Sequence, residues 1–324
     1  MKLRKLARQL AAAAVAGAMA LSLCMPALAE TWDMSNTEKY PNGKGAWISV
    51  YRNADIADHP ELNGQFLEIW NSSDKPDPIK EKDEAPVLSG SFETLDLNGN
   101  EGTTVHATLQ DAHMEYNADS SPTLTTSGKV ELTLSGSNTV KHTYDTRMAI
   151  DIDDDGGWNN RTPGLLTIKG SGSLTAEAPS SGIRIQNGTL DVTDGTVNAT
   201  AADNGIYALG NTVQVSGGTL CATATGEHGT GIEASHNGQV TVSGGKLTAS
   251  GGGFGIAVGQ LEMSGGTLNA SANGTAAIKG SSITVNGGVL NLEDNKAPDG
   301  ILSEDLNVTN GWLTAKGQTV SANN

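Results

Sequence analysis

Cysteine and aromatic side chains are what this sequence most lacks. Its 324 residues include two cysteines, Cys24 and Cys221, and 13 aromatics. With so few cysteines a disulfide framework is excluded, and the fold must be held by a backbone ladder and a core. Thirteen aromatics are poor material for a conventional globular core. Basic residues are scarce as well: 20 stand against 36 acidic ones, for a formal charge of −16. A surface of that sign repels nucleic-acid phosphates and anionic lipid, so no nucleic-acid partner is expected. It attracts Ca²⁺, which takes carboxylate and carbonyl oxygens.

Long hydrophobic runs are missing too. The longest, from Leu10 to about Leu23, falls short of the roughly 20 apolar residues of a membrane span. Lys2, Arg4, Lys5 and Arg8 precede it and Ala27-Leu28-Ala29 follows it. That order reads as a signal peptide over residues 1–29, cleaved after Ala29. The expected location is secreted or at the cell surface, with no membrane span in the mature chain. Leu23 before Cys24 is not the small residue that lipoprotein processing needs, so Cys24 leaves with the leader. The remainder carries 16 basic and 36 acidic residues, a formal charge of −20.

What the chain has in abundance is glycine, 41 residues, and much of it recurs at a period. Segments opening with Gly-Ile or its equivalent start at Gly182, Gly205, Gly231, Gly255, Ala277 and Gly300, spaced by 23, 26, 24, 22 and 23 residues. Each runs Gly-Ile, a short gap, apolar-x-apolar, a Gly-Gly-like turn, then x-Leu-x-Ala. Val213-x-Val215, Val240-x-Val242 and Leu261-x-Met263 alternate at period two, as a half-buried strand does. The pairs Gly217-Gly218, Gly244-Gly245, Gly265-Gly266 and Gly287-Gly288 supply a sharp bend, and Leu220-x-Ala222 and its equivalents resume the alternation. One such coil cannot bury its own apolar face, but stacked coils can. The expected fold is all-β: a right-handed single-stranded parallel β-helix over residues 85–324. At about 4.8 Å per coil that is about ten coils and a rod of roughly 45–50 Å. A helix is excluded by the glycines, and a propeller by the short period.

Earlier coils are less regular. Lys129 to Leu134, Leu165 to Ile168 and Leu174-Thr-Ala176 fit the scheme, and Thr94 to Gly99 looks like its first turn. An insertion, DDDGGWNNRTPG, separates Ile152 from Leu165. Residues 30–84 differ and hold six of the aromatics, Trp32, Tyr40, Trp47, Tyr51, Phe66 and Trp70. They are expected to form an N-terminal cap or a small binding lobe, with 72–86 as a surface connection.

The units LTLSGSNTV (132–140), LLTIKGSGSLTAEA (165–178) and the later Gly-Ile coils resemble Gly-rich β-helix proteins on the surface of gut Firmicutes. They are also similar to the clostridial carbohydrate-binding β-helix family related to pectate lyases. The resemblance covers residues from about 95 to 315. It implies Ca²⁺-assisted binding of plant or acidic polysaccharides, and no ligand-binding motif of the family is matched residue by residue.

Catalytic patterns are thin. A β-elimination site needs Ca²⁺ carboxylates beside a base. Asp151, Asp153, Asp154 and Asp155 form the dense acidic cluster, with Arg147, Arg161 and Arg184 nearest in sequence. The outward column at Arg184 continues as Tyr207, Glu233, Ala257, Lys279 and Leu302, which repeats no carboxylate beside a base. A polygalacturonase-like hydrolase needs facing carboxylates, and here Arg184-Ile185-Gln186 precedes Glu227-His228-Gly229, the reverse of that family's order. No catalytic residues are assigned, and His228 and His236 read as surface histidines.

The candidate metal ligands are Asp151, Asp153, Asp155 and Asn159 of the insertion, where alternation would put the three carboxylates on one side to take Ca²⁺. The candidate ligand-binding residues are Arg184, Tyr207 and Glu233 in one outward line, Trp158 in the insertion, and Trp312 at an outward turn position. Trp312 could instead seal the last coil. A second outward column, Asn198, Cys221, Thr248, Asn269, Asn291 and Thr314, reads as a polar ladder and predicts an exposed, reactive Cys221. The function expected is a non-catalytic binding module for a polysaccharide, a host or plant glycan. A purely structural adhesin-like stalk and a polysaccharide lyase are the alternatives. No cap follows Trp312, which leaves end-to-end self-association open.

Overall fold

Ile183, Ile206, Ile232, Ile256, Ile278 and Ile301 lie in register, each on the strand above the last, and none is exposed. Alternation at period two turns these side chains inward, and the constant spacing brings them into one column. Val215 and Val242 are neighbours in another such column. The computed structural model describes residues 30–36, 47–53, 63–70, 79–156, 162–292, 297, 299–315 and 319–322. Among them every regular element is a strand and none is a helix. The chain is a parallel β-solenoid of about nine turns. The leader assigned to residues 1–29 lies outside the described residues.

Each turn visits three sheets. The first holds Met148–Asp153, Ser181–Ile185, Asn204–Tyr207 and the opening halves of the later long strands such as Thr230–Val242. The second holds Gly164–Lys169, Gly188–Val192 and Thr212–Val215. The third holds Ser173–Ala178, Thr196–Ala201, Thr219–Ala224, Lys246–Gly251 and Thr267–Ala272. The repeat predicts two strands per coil, and the structure adds a third because the Gly-Ile segment is itself a strand. Its glycine sits where the third sheet's backbone meets the first. A Cβ on Gly205 would lie 2.5 Å from the Thr223 nitrogen, and one on Gly231 2.7 Å from the Ser250 nitrogen.

The paired glycines divide the work of the bend. Gly218 and Gly245 are left-handed, with φ of 55° and 59°. A Cβ on the residue before each would press on the carbonyl of the coil below, 2.1 Å from Thr193 O for Gly217 and 2.4 Å from Ser216 O for Gly244. Turns number about nine rather than about ten because the early coils are longer. Leu95 and its partner Leu124 are 29 residues apart, Leu124 and Ile150 are 26, and Ile150 and Ile183 are 33.

Parts of residues 30–84 extend the same ladder. Thr31–Asp33 pairs parallel with the start of Val87–Phe92, and Trp47–Asn53 pairs parallel with 94–99. Gly64–Trp70 then folds back antiparallel on Trp47–Asn53, and Ile79–Lys82 on Gly64–Trp70. Trp32, Met34, Ile48, Val50, Leu67 and Ile69 join the common core. Within 72–86, expected as a surface connection, 79–82 is instead a strand, because Ile79 pairs with Ile69 and packs on the core. No helix among the described residues is long and apolar enough to cross a membrane.

Candidate functional site

The outer surface of the first sheet carries the line read from the sequence. Arg184 pairs with Tyr207, Tyr207 with Glu233, Glu233 with Ala257, Ala257 with Lys279 and Lys279 with Leu302. Side chains at equivalent positions of adjacent strands are about 4.8 Å apart, so this is a continuous strip. One rung below Arg184 the column continues with Asp151.

Asp151 and Arg184 form a two-pronged ion pair. Arg184 Nε donates to Asp151 Oδ1 at 2.8 Å and Nη2 to Oδ2 at 2.5 Å. Asp151 is almost fully buried. The carboxylate beside Arg184 holds the guanidinium pKa above its already high ordinary value, so Arg184 stays a cation. The next residues of the same coil act alike: Gln186 Nε2 donates to Asp153 Oδ2 at 2.8 Å, and Asn187 Nδ2 to Asp154 Oδ2 at 2.6 Å. Asp155 Oδ1 accepts from the Thr162 backbone N–H at 3.0 Å, closing the insertion at its base. The acidic run is thus fastened to its neighbours. Among the described residues, no three acidic, histidine or cysteine side chains converge to hold a cation. Asn159 and Trp158 lie outside the described residues.

Above Tyr207 the strip enters a groove of about 560 Å³. Its walls include Glu233, His236, Asn237, Phe254, Lys279 and Glu304. The overhang is made by residues 235–238, four residues that face the single Gly259 on the next strand. His236 and Asn237 take left-handed φ of 56° and 70° there, a conformation that non-glycine residues rarely hold outside tight turns. Ser235 Oγ donates to Glu233 Oε1. Lys279 Nζ lies 5.5 Å from the centre of the Phe254 ring. The groove therefore offers one aromatic edge with donors and acceptors around it, the mixture that orients a polyhydroxylated ligand. The sequence line reached Glu233 but not His236, Asn237 or Phe254. Their signal was the gap from Ile232 to Val240, three residues longer than that from Ile256 to Leu261, which must leave the strand as a loop.

Trp312 belongs to a different surface. It pairs with Val289 on the third sheet and is 78% exposed, so it does not join the Arg184 line. The polar ladder also runs along the third sheet, in the register read from the sequence. Asn291 Nδ2 donates to Asn269 Oδ1 at 2.9 Å. Cys221 stands within that ladder as a free thiol, half-buried rather than exposed, because Asn198 and Thr248 flank it one rung away on either side. A second cavity, of about 550 Å³, opens on the third sheet near the N-terminal end beside Glu93, His113 and Lys141.

Sequence reading also passed over Trp47 and Trp70 as site residues. They face each other across the antiparallel pair and are 53% and 42% exposed. The runs Trp-Ile-Ser-Val-Tyr and Phe-Leu-Glu-Ile-Trp both alternate, which was signal enough to place both indoles outside.

Against known proteins, a family model described as carbohydrate-binding domain-containing protein matches residues 80–321. Among solved structures, the chain is similar to a polysaccharide lyase-like protein from C. thermocellum, studied as a gadolinium derivative. The two are 18% identical, the match covers 83% of this chain and 99% of that one, and the TM-score is 0.45. A search of the curated proteins finds no match.

Proposed function

Since the chain belongs to the family of carbohydrate-binding domain-containing proteins, we propose that it binds a polysaccharide along the outer face of the first sheet and does not cleave it. The observation that carries this reading is the continuous column Arg184, Tyr207, Glu233 running into the groove beside Phe254 and Lys279. A regular column of polar groups meets a regular polymer, and the groove supplies shape. The absence of cleavage is supported by the Arg184–Asp151 pair. A lyase needs a group that accepts a proton, and this guanidinium is held in its charged form.

Retention on an array of plant and host glycans tests the reading, with wild type beside a Glu233→Ala, Lys279→Ala double variant. Wild type is expected to retain at least one polysaccharide, and the variant to lose about tenfold in affinity, the scale of one or two lost polar contacts. No retained glycan would leave the structural stalk as the better account. Unsaturated product released from polygalacturonate would restore the lyase.

Two finer points belong to the same proposal. The protein is exported by residues 1–29, which N-terminal sequencing of secreted material checks: a start other than Glu30 rejects cleavage after Ala29. Ca²⁺ would be held at Asp153 and Asp155, where it displaces neutral donors, the Gln186 amide and the Asp154 and Thr162 N–H groups, rather than the Arg184 cation that holds both oxygens of Asp151. Calorimetric titration of wild type and an Asp153→Ala, Asp155→Ala double variant decides it, and equal heats reject the site.

A further inference from the structure

We infer that the N-terminal hairpin is a second sugar-binding site, an aromatic platform for the apolar face of a neutral hexopyranose. This rests on the polysaccharide reading above, but the site is separate: Trp47–Asn53 and Gly64–Trp70 lie outside the matched residues 80–321.

The register Trp47 opposite Trp70 puts both side chains on the outer face of the first sheet, with Cβ atoms about 5 Å apart. Both indoles stay substantially exposed, although Ile48 and Ile69 beside them are buried. Large aromatics left in water next to a well-filled core mark an interaction surface. Trp47 is held in place, because its indole N–H donates to Glu93 Oε2 at 3.1 Å. On the same face Tyr51 stacks on Phe66, with ring centres 5.8 Å apart, but Phe66 is buried and Lys80 lies over both rings, so the open aromatic surface is the Trp47–Trp70 pair. The platform is preformed, so little ordering is needed on binding.

The rim of the platform gives the ligand's chemistry. Glu93 holds the Trp47 indole and Asp96 lies beside Ser49 on the next strand, whereas Glu68, between the two aromatic pairs, is taken by Lys80 at 3.1 Å and by the Tyr51 hydroxyl. Burial pushes the Asp96 carboxyl up from the ordinary carboxylate value. Carboxylates accept hydrogen bonds from sugar hydroxyls and repel uronates; Glu93 is the one beside the tryptophans, while the Lys80 ammonium is spent on Glu68 and on the Tyr51 and Phe66 rings. The fitting ligand is therefore a neutral sugar that presents C–H groups to the rings and hydroxyls to the rim. Six strand-to-strand steps separate Trp47 from Glu233 along the same face, about 29 Å. A polymer long enough to span them meets both sites and gains avidity.

The test is calorimetry of the full chain with cellohexaose, xylohexaose and hexagalacturonate, comparing wild type, a Trp47→Ala, Trp70→Ala double variant, a Trp47→Tyr variant and the Glu233→Ala, Lys279→Ala groove variant. Circular dichroism checks that each variant keeps its β signal. The expected result is binding of a neutral hexasaccharide that falls about tenfold or more in the double variant, persists in Trp47→Tyr, and exceeds binding of hexagalacturonate. Equal affinity in wild type and the folded double variant overturns the platform while leaving the groove reading standing. Preferred binding of hexagalacturonate overturns the neutral ligand. A wild type that binds no glycan in this test or on the array removes both readings. Sedimentation showing a dimer in wild type and a monomer in the double variant, with unchanged sugar binding, overturns the platform in favour of pairing with a second copy.

Discussion

The side-chain amide of Gln65 takes both backbone polar groups of His106: Nε2 donates to the carbonyl at 2.6 Å, and Oε1 accepts from the N–H at 2.8 Å. An amide side chain thus occupies the place of a missing strand at the open end of the second sheet. Gln65 is fully buried, so the substitute cannot be replaced by bulk water without rearrangement. Gln65→Leu leaves a buried donor and acceptor unpaired and is expected to cost about 2–4 kcal/mol. Gln65→Glu, when ionised, loses the donor and buries a charge against the His106 carbonyl, and protonation restores the donor, so it is expected to cost less at acidic pH than at neutral pH. Urea unfolding of the three proteins at two pH values checks both.

Two left-handed glycines separate conformation from space. Gly156 has φ of 67° and open space where a Cβ would sit, whereas Gly245 has φ of 59° and Gly217 O only 2.4 Å from that point. Gly156→Ala is expected to cost about 1–2 kcal/mol, the left-handed penalty alone. Gly245→Ala is expected to cost clearly more, because two backbones must also part. Thermal melts that rank the two alike would contradict the account of the bend.

The Asp151–Arg184 pair is expected to matter through its buried half. Asp151→Ala strands a partly buried guanidinium, and a loss of about 3 kcal/mol is expected. Replacing both residues, Asp151→Leu with Arg184→Met, is expected to recover most of it, because an apolar pair leaves no uncompensated charge. A double-variant cycle by chemical denaturation measures this. A double variant as unstable as Asp151→Ala would mean that packing, not charge, sets the cost.

His142 gives the fold a pH dependence. Its ring is buried against Tyr116, and Thr123 Oγ1 lies 3.1 Å from Nδ1. Desolvation first, then Arg147 nearby, hold its pKa below the ordinary 6.5. The unfolded chain takes up a proton as pH falls through about 6.5 while the folded chain does not, so stability is full above that pH and declines below it. The urea midpoint is expected to drop between pH 7.5 and 5.5 in wild type, and to drop less in His142→Gln. Parallel curves for the two proteins would assign the loss to other groups.

The columns from Gly182 onward were legible because one spacing repeats: Ile206, Ile232 and Ile256 could be stacked on paper. Arg184, Tyr207 and Glu233 followed from the same register. The partner of Arg184 was not legible, since the insertion stretches the step from Asp151 to 33 residues and hides it from any search at the common period. Trp47 and Trp70 meet across an antiparallel strand pairing that the parallel repeat does not contain. Gln65 could not be read at all, because the unpaired strand edge that it serves exists only once the second sheet has an end. Local alternation and regular recurrence reach the sequence reader, whereas contacts made once do not.

The corner glycines have a further consequence. Among the described residues from Gly182 to Val285 the rungs pair with their neighbours along the same three seams, one in each sheet, so this part of the ladder can be cut cleanly only at matching points. Excising one whole rung, from Gly231 to Phe254, would bring Gly205 beneath Gly255 and leave all three seams closed. Removing half of it would leave none closed. Length in this molecule is accordingly quantised, changing in strides of about 4.8 Å, and gain or loss of complete rungs is the path by which such a rod can grow or shrink.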